Sequence, residues 1–504
     1  MRRPQVMSRG ALIAAALVVA ACSGSSGTSS TYERGDAATT TDTPAGTVLG
    51  GTTVATEEPV ATVDDIASSS GPDTEASTTE PDGPPSRYGT GDSSFLFDPE
   101  VVHTFDIGLE PDALEALDSD PAAEEYVEGS LTFDGETLDR VGVRYKGSVG
   151  AFLGCTACPN PFDPSGPKTC RKLSLKLRIN WDGADTEFYG QRRVQLHSVN
   201  LDQSLLRDRL GYEMFRQAGV PAPRATHARV TINGELVGLF VLVEQIDGRF
   251  TRDRFEDGTG NLYKEMWPFD EFGMVRSSGE LIDSLRTNED DDPTASIIQS
   301  FAQELLDSGA AADTGAARRV LGERTDLDAL IAYSVVDRAI RNDDGPFHWY
   351  CIEGTCEPHN FYLYEEPASG RMHVIPWDLD NSLRLSGGVT SITEIADGWG
   401  EISNDCEPFP FGPVGLLQKS AACDPFVAAW SSLDAEFAAA DTAFRSGPFA
   451  PANMRELVDT WSTQIEPLVM ESSEAHDDAL TVAEWRAAVD ELVSDFVVPA
   501  EQEN

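Results

Sequence analysis

Residues 359–380 read His-Asn-Phe-Tyr-Leu-Tyr-Glu-Glu-Pro-Ala-Ser-Gly-Arg-Met-His-Val-Ile-Pro-Trp-Asp-Leu-Asp. Asn360 to Glu365 and Met372 to Pro376 are apolar-rich runs on either side of Ser369-Gly370, which predicts a hairpin. Its second strand runs out into Trp377-Asp378-Leu379-Asp380. Just upstream, Leu327 to Arg341 has the apolar spacing of a helix, and Arg341-Asn342-Asp343-Asp344-Gly345 follows it directly. A helix end and two strand ends thus bring acids and amides to neighbouring loops. Carboxylates with Asn are hard oxygen ligands, the kind Mg²⁺ takes when it also binds phosphate oxygens. One further Asp can orient a hydroxyl nucleophile or accept its proton.

Outward from this hairpin, the N-terminal side is rich in strands. Val101 to Leu109, Tyr126 to Phe133 and Leu138 to Tyr145 read as strands, the last two joined at Asp134-Gly135. Pro111 to Asp118 has helical spacing. Leu173, Leu175, Leu177 and Ile179 alternate with Ser174, Lys176 and Arg178, the mark of a half-buried strand. Leu205 to Ala218 predicts a helix ended by Gly219 and Pro221. Ala225 to Ile232 and Leu236 to Val243 meet at Asn233-Gly234, a strong hairpin turn. Pro425 to Val498 is Ala-rich and helical in pattern, and no fixed-period repeat occurs. Strands therefore give way to a mostly helical half, an α+β arrangement.

The strand-rich part complements the acids. Lys172 and its rival Lys176 are expected on a strand after the small-residue turn at Gly147, and Glu213 on the following helix. A strand Lys paired with a helix Glu is how a kinase fold holds the α/β-phosphates. Glu213 can equally pair with Arg209 or Arg216 along its own helix. Glu244-Gln245 ends the second hairpin strand, where a kinase chain crosses between lobes. His348, His359 and His373 have mostly Asp and Asn nearby, so a polar structural role is expected rather than zinc. The acidic run Asn288 to Asp292 is expected to be a solvated loop rather than a Ca²⁺ site.

Six of these segments, in order from about 100 to 385, carry a resemblance. Arg144-Tyr145-Lys146-Gly147-Ser148 looks like the arginine-glycine-serine turn of the CotH family of atypical, protein-kinase-like enzymes. Arg171 to Lys176 resembles that family's basic strand, and Asp202, Ser204 and Leu206-Arg207 resemble its helix start. Ile232 to Glu244 resembles its Asn-Gly hairpin, and Asn261-Leu262-Tyr263-Lys264 its Leu-Tyr-Lys. Asn342, Asp344, His359-Asn360, Tyr362-Leu363-Tyr364 and Trp377-Asp378-Leu379-Asp380 resemble its late acidic series. The resemblance implies a divergent kinase-like two-lobe fold, with a β-rich N-lobe about 94–246 and a mostly helical C-lobe about 247–500. It implies that Lys172 holds phosphates, with Lys146, Glu213 and Glu244 also at the nucleotide. It implies Asp344 as catalytic acid-base, with Asp343 as its rival, and Asp378, Asn360 and Asp380 as metal ligands. ATP and Mg²⁺ or Mn²⁺ are the implied cofactors. Inserts with Cys155, Cys158 and Cys170, and with Cys351 and Cys356, flank this site and bear on substrate identity.

The N-terminus predicts export. Arg2 and Arg3, the apolar run Ala11 to Ala20 and the small residues before Cys22 describe a signal peptide over 1–21. The pattern before Cys22 resembles a lipobox, which implies a lipid on that cysteine and a cell-surface location. Residues 22–93 are Ser, Thr, Gly, Asp, Glu, Pro and Ala with almost no aromatics, expected to form a soluble tether. The net charge of −48 argues against a nucleic-acid surface. Of eight cysteines, Cys351 with Cys356 and Cys406 with Cys423 are expected to pair in an oxidising compartment. One thiol of the 155, 158, 170 cluster is expected to be left over. The expected function is phosphate transfer from ATP to Ser or Thr of secreted or envelope proteins. The alternatives are a non-catalytic surface binding module and an enzyme that moves AMP.

Overall fold

The computed structural model describes residues 91–147, 151–158, 164–184, 186–289, 291, 293–342, 344–352, 354–384, 406–411 and 416–497. The signal peptide, Cys22, nearly all of the tether and Asp343 lie outside the described residues. The chain is a mixed α/β protein in which seven strands close into a barrel and helices follow.

The barrel strands come from β1 (His103–Gly108), β2 (Val127–Phe133), β3 (Glu136–Tyr145), β6 (Leu175–Arg178), β7 (Arg193–His197), β8 (Ala225–Ile232) and β9 (Glu235–Val243). A short ribbon, β4 (Thr156–Cys158) with β5 (Ser165–Lys168), lies between β3 and β6 in sequence. The barrel order is β1-β2-β3-β6-β7-β9-β8, and β1 runs parallel to β8 to close it. Alternation puts one face of every strand inside. Phe105, Ile107, Leu131, Val141, Val143, Leu175, Leu177, Leu196, Val230 and Phe240 form the barrel core. The predicted strands and the Asn233-Gly234 turn are found, but β7 had no clear pattern of its own. Both of its faces are covered, so polar and apolar residues are buried alike.

Eleven helices are described: α1 (Pro111–Ser119), α2 (Arg207–Gln217), α3 (Gly248–Arg254), α4 (Ser278–Asp283), α5 (Ser296–Ser308), α6 (Thr314–Arg324), α7 (Leu327–Ala339), α8 (Pro425–Ser431), α9 (Asp434–Ser446), α10 (Pro451–Ala475) and α11 (Val482–Leu492). Among them run two small sheets. One joins β10 (Leu262–Lys264) to the predicted hairpin, β13 (Phe361–Glu366) and β14 (Arg371–Pro376). The other holds β11 (His348–Ile352), β12 (Thr355–Glu357), β15 (Phe409–Phe411) and β16 (Leu416–Ser420). A second, larger core of α2, α5–α11 and the β10-β13-β14 sheet is continuous through Leu210, Phe215, Tyr333, Phe361, Trp377 and Trp430. Among the described residues, no helix is long and apolar enough to cross a membrane.

Cys351–Cys356 and Cys406–Cys423 are bonded as expected. Cys155 pairs with Cys170 across the β4-β5 ribbon rather than with Cys158. Cys158, the third member of that cluster, lies outside the Cys155–Cys170 pair.

Candidate active site

The site starts on the outer face of β7. Val194 and Leu196 point into the barrel, so Gln195 and His197 point out of it. Lys146, just past the end of β3, reaches across to both. Its ammonium lies 2.9 Å from Gln195 Oε1 and 2.9 Å from His197 Nε2. It also stands 5.0 Å from the centre of the Trp377 ring, a cation–π contact. An ammonium only donates, so His197 Nε2 must accept and the ring proton sits on Nδ1. Nδ1 lies 2.9 Å from Asp208 Oδ2, in the first turn of α2. The other oxygen of Asp208 accepts the Leu379 amide at 3.3 Å. An ammonium, an imidazole and a carboxylate therefore link the barrel, α2 and the Trp377–Asp380 segment in one line.

Helical spacing explains why α2 meets that segment. Asp208, Gly211 and Tyr212 are three and four residues apart and share a face. Tyr212 Oη accepts the Asp378 amide at 3.0 Å. A Cβ on Gly211 would lie 2.9 Å from Leu379 Cδ1 and 3.2 Å from Ser382 Oγ, so only glycine permits this approach. Asp202 accepts the first helical amide, Arg207 N, at 2.8 Å and Ser204 N at 2.9 Å. It also pairs with the buried Arg207 guanidinium, whose Nε donates to Leu383 O at 3.1 Å. The predicted helix start is thus a cap that also ties α2 to the chain beyond Asp380.

Asp378 has φ 55°, a left-handed conformation that costs an L-residue energy and persists only where the surroundings fix it. Two amide bonds fix it here, at residues 378 and 379. Asn360 is likewise left-handed, at φ 56°. Its amide donates to Glu265 Oε1 at 3.1 Å, and its carbonyl accepts Trp377 N at 3.1 Å. Burial pushes the Asp378 carboxyl above its usual range, with the Lys146 ammonium opposing. Asp380 is pushed further up, first by burial and then by Asp378, Asp208, Asp202 and Asp344. Four carboxylates from three parts of the chain thus act on Asp380. Asp344 is one of them.

The structure does not bring every predicted residue to this cluster. Lys172 precedes β6 rather than lying on it. Its ammonium donates to Leu239 O at 2.9 Å, over the Phe240 ring. Arg171 donates to Val237 O, two residues earlier. Alternate carbonyls of a strand face the same way, and β7 stops opposite Val241. Arg171 and Lys172 therefore seal the edge of β9 that β7 leaves uncovered. Burial lowers the Lys172 amine to about 7. Lys146, not Lys172, is the lysine that reaches His197 and Trp377 beside the acidic segment. Glu213 pairs with Arg216 and with Gln217 Nε2 at 2.8 Å, five residues and about 140° round the helix from Asp208. Asp208 is the α2 acid the sequence reading missed, with His197 and Gln195. Glu244 is buried between Arg224 and Arg254. That ion cluster closes the barrel end and has no bond to the site among the described residues.

Asp378, Asp380 and Asn360 are hard oxygen donors in a crowd of carboxylates, with the Lys146 ammonium acting on Asp378. Among the described residues, no three His, Cys, Asp or Glu side chains form a ready cage. Mg²⁺ is commonly held by one or two carboxylates plus phosphate oxygens rather than by an all-protein cage. The residues fit that mode. The three histidines stay apart: His348 Nδ1 meets Gln418 Nε2 at 3.0 Å, His359 stacks on Tyr350, and His373 faces Glu366. Asn288 bonds Thr259 and Asn261, and part of its acidic run lies outside the described residues.

A closed barrel and a helical half joined through a Lys–His–Asp line to a carboxylate cluster define a mixed α/β protein with a polar site at the junction of its two cores. The family model described as CotH kinase protein matches residues 143–497. The chain belongs to that family. It is similar to the inner spore coat protein H of Bacillus subtilis (strain 168), 24% identical over 208 residues, 38% of this chain and 50% of the relative. It is also similar to an inner spore coat protein H-like protein of the same organism, 38% identical over 74 residues, 15% of this chain and 23% of the relative. The chain spans half or less of the length of the curated relatives it matches.

Proposed function

We propose that this chain is a protein kinase of a divergent two-lobed kind, transferring phosphate from ATP to Ser or Thr hydroxyls of exported proteins. The barrel serves as the N-lobe and the helical half as the C-lobe. The observation that carries the reading is the Lys146–His197–Asp208 line running from the barrel to the Asp378 segment. It performs, through an imidazole, what a strand Lys and a helix Glu do directly in a kinase. Lys146 holds phosphate oxygens by charge and hydrogen bonding. Asp344 orients the substrate hydroxyl and accepts its proton. Trp377 covers one side of the ammonium. Asp378 and Asp380 with Asn360 would hold a divalent ion, which supplies charge neutralisation at the phosphates. Arg144 pairs with Glu124, whose other oxygen accepts Gly147 N at 2.6 Å, so the turn after Lys146 is held from below.

The reading takes the domain to act outside the cytoplasmic membrane, lipidated at Cys22 and held off the surface by the 22–93 tether. The names of the relatives, spore coat proteins, suit a substrate among coat or envelope proteins. The test is incorporation of label into protein from γ-labelled and α-labelled ATP with Mg²⁺ or Mn²⁺. Expected are γ-label transfer by the wild type and its loss in Asp344→Asn and Asp378→Asn. Label arriving from α-labelled ATP would mean AMP transfer. Either variant labelling as well as wild type would reject the residue roles, and no nucleotide binding at all would leave a binding module.

A further inference from the structure

The segment that carries Asp344 is anchored by a pair of side chains that no role above uses. Helix α7 ends in a Schellman turn: Asn342 N donates to Asp337 O at 3.0 Å and Arg341 N to Arg338 O at 3.3 Å. The left-handed position is filled by Arg341, φ 51°, where glycine is usual, so the turn carries a conformational cost. The same two residues, 337 and 342, are joined again by their side chains. Asn342 Nδ2 donates to Asp337 Oδ1 at 2.9 Å. Both residues are fully buried.

Two acceptors remain in that pair without partners, Asp337 Oδ2 and Asn342 Oδ1. An ionised carboxylate and an amide oxygen have no proton to offer each other, and leaving both buried is costly. One proton on Oδ2 satisfies both, because the acid then donates to the amide oxygen while accepting from the amide nitrogen. Gly345 closes the pocket: a Cβ there would lie 2.4 Å from Asn342 Nδ2 and 2.7 Å from Asp337 Oδ1. We propose that Asp337 is a positioning residue held as the neutral acid, and that its two-way bond with Asn342 sets the place of Asp344.

The surroundings agree. Arg338, its neighbour on α7, is the charged group acting on Asp337. Tyr333, one turn back, has a buried hydroxyl and meets Phe215 of α2 at a tilt and Phe347 and Trp430 of α8 edge-on. His348 of β11 is buried and pushed toward its neutral form, with Arg338 adding to that. Burial outweighs Arg338 and Asn342 and raises Asp337 to about 7.

Melting of full-length protein across pH tests this without nucleotide, so it survives or fails apart from the kinase reading on which the positioning role rests. The folded acid binds its proton more tightly than the unfolded one. The contribution of Asp337 to stability then falls as pH rises from about 4 to about 7. Asp337→Asn keeps a donor toward Asn342 and cannot ionise. The expected result is a melting-temperature gap in its favour that widens over that window and then levels. In Asn342→Asp two acids face each other, and the swapped pair Asp337→Asn with Asn342→Asp should recover relative to it. A gap independent of pH, or no recovery in the swap, overturns the neutral-acid pair. For positioning, the wild-type labelling rate should fall above pH 7 and that limb should vanish in Asp337→Asn. A limb left unchanged there would mean that Asp337 does not position Asp344.

Discussion

Replacing Asp208 by Asn would test the Lys146–His197–Asp208 line at its one buried, switchable joint. In the wild type the Lys146 ammonium fixes His197 Nε2 as acceptor, so Nδ1–H donates to Asp208 Oδ2. The Asp208 Oδ1 atom is already taken by Leu379 N. In Asp208→Asn the amide oxygen keeps one of these donors, and its NH₂ must face the other. If it faces His197, either two donors meet at Nδ1, or the ring changes tautomer and two donors meet at Nε2 and Lys146. If it faces Leu379, that amide loses its acceptor beside the left-handed Asp378. Each case leaves one buried donor unmade, which costs about 1–3 kcal/mol. A site assembled only when the line is intact would lose that much nucleotide binding, roughly 5- to 150-fold. The measurement is titration of ATP with Mg²⁺ by calorimetry, with a melting curve as the control for folding. Lys146→Met should lose at least as much. Lys172→Met should bind within about twofold of wild type, because that ammonium caps Leu239 O. Equal affinity in Asp208→Asn, or a Lys172→Met loss as large as that of Lys146→Met, would refute the line as the nucleotide anchor.

Three further outcomes follow from contacts already described. Gly211→Val should separate α2 from Leu379 and Ser382, weakening nucleotide binding although valine costs an exposed helix little; a titration unchanged from wild type would mean that the approach is not needed. Glu244→Ala leaves Arg224 and Arg254 facing each other and should cost about 3 kcal/mol in urea unfolding, with nucleotide affinity retained by the folded fraction. Reduction of Cys351–Cys356 frees the β11-β12 hairpin, which lies in sequence between Asp344 and Asn360. Labelling should then fall in wild type with dithiothreitol, and to the same level in Cys351→Ser with Cys356→Ser without it.

The order of strands and helices was legible because most elements obey a local rule. The β8-β9 hairpin has Asn-Gly at its turn, α2 is ended by Gly219, and the β13-β14 hairpin has apolar-rich runs on either side of Ser369-Gly370. The late acids were legible for the same reason, since a helix end and two strand ends are local features. Which lysine and which α2 acid join them was not local. Lys172 is claimed by the edge of β9, an edge that exists only because β7 is short and the barrel closes around it. No pattern near Lys172 encodes that. Helix α2 is buried along nearly its whole length, including Arg207, Asp208 and Arg209. Its polar residues therefore do not mark a solvent face, and the usual amphipathic reading has nothing to separate. Glu213 looked suitable because of its type, while Asp208 is suitable because of its direction.

The imidazole in the line has a consequence for how such sites are recognised. A direct Lys–Glu ion pair fixes two chain segments by charge alone and tolerates many geometries. A line through a neutral imidazole fixes direction as well, because one ring nitrogen must accept and the other must donate. Moving α2 away from the barrel would break the Asp208 bond and release the tautomer, so the ring registers the position of the helix. The same carboxylate holds Leu379 N, next to the proposed metal ligand Asp378. The placement of the ammonium proposed to hold phosphate and of the acid proposed to hold metal thus depends on one buried side chain. A search for a strand lysine facing a helix glutamate finds Lys172 and Glu213 here. A search for a lysine whose partner is a histidine backed by an acid finds Lys146, His197 and Asp208, the residues the fold brings together.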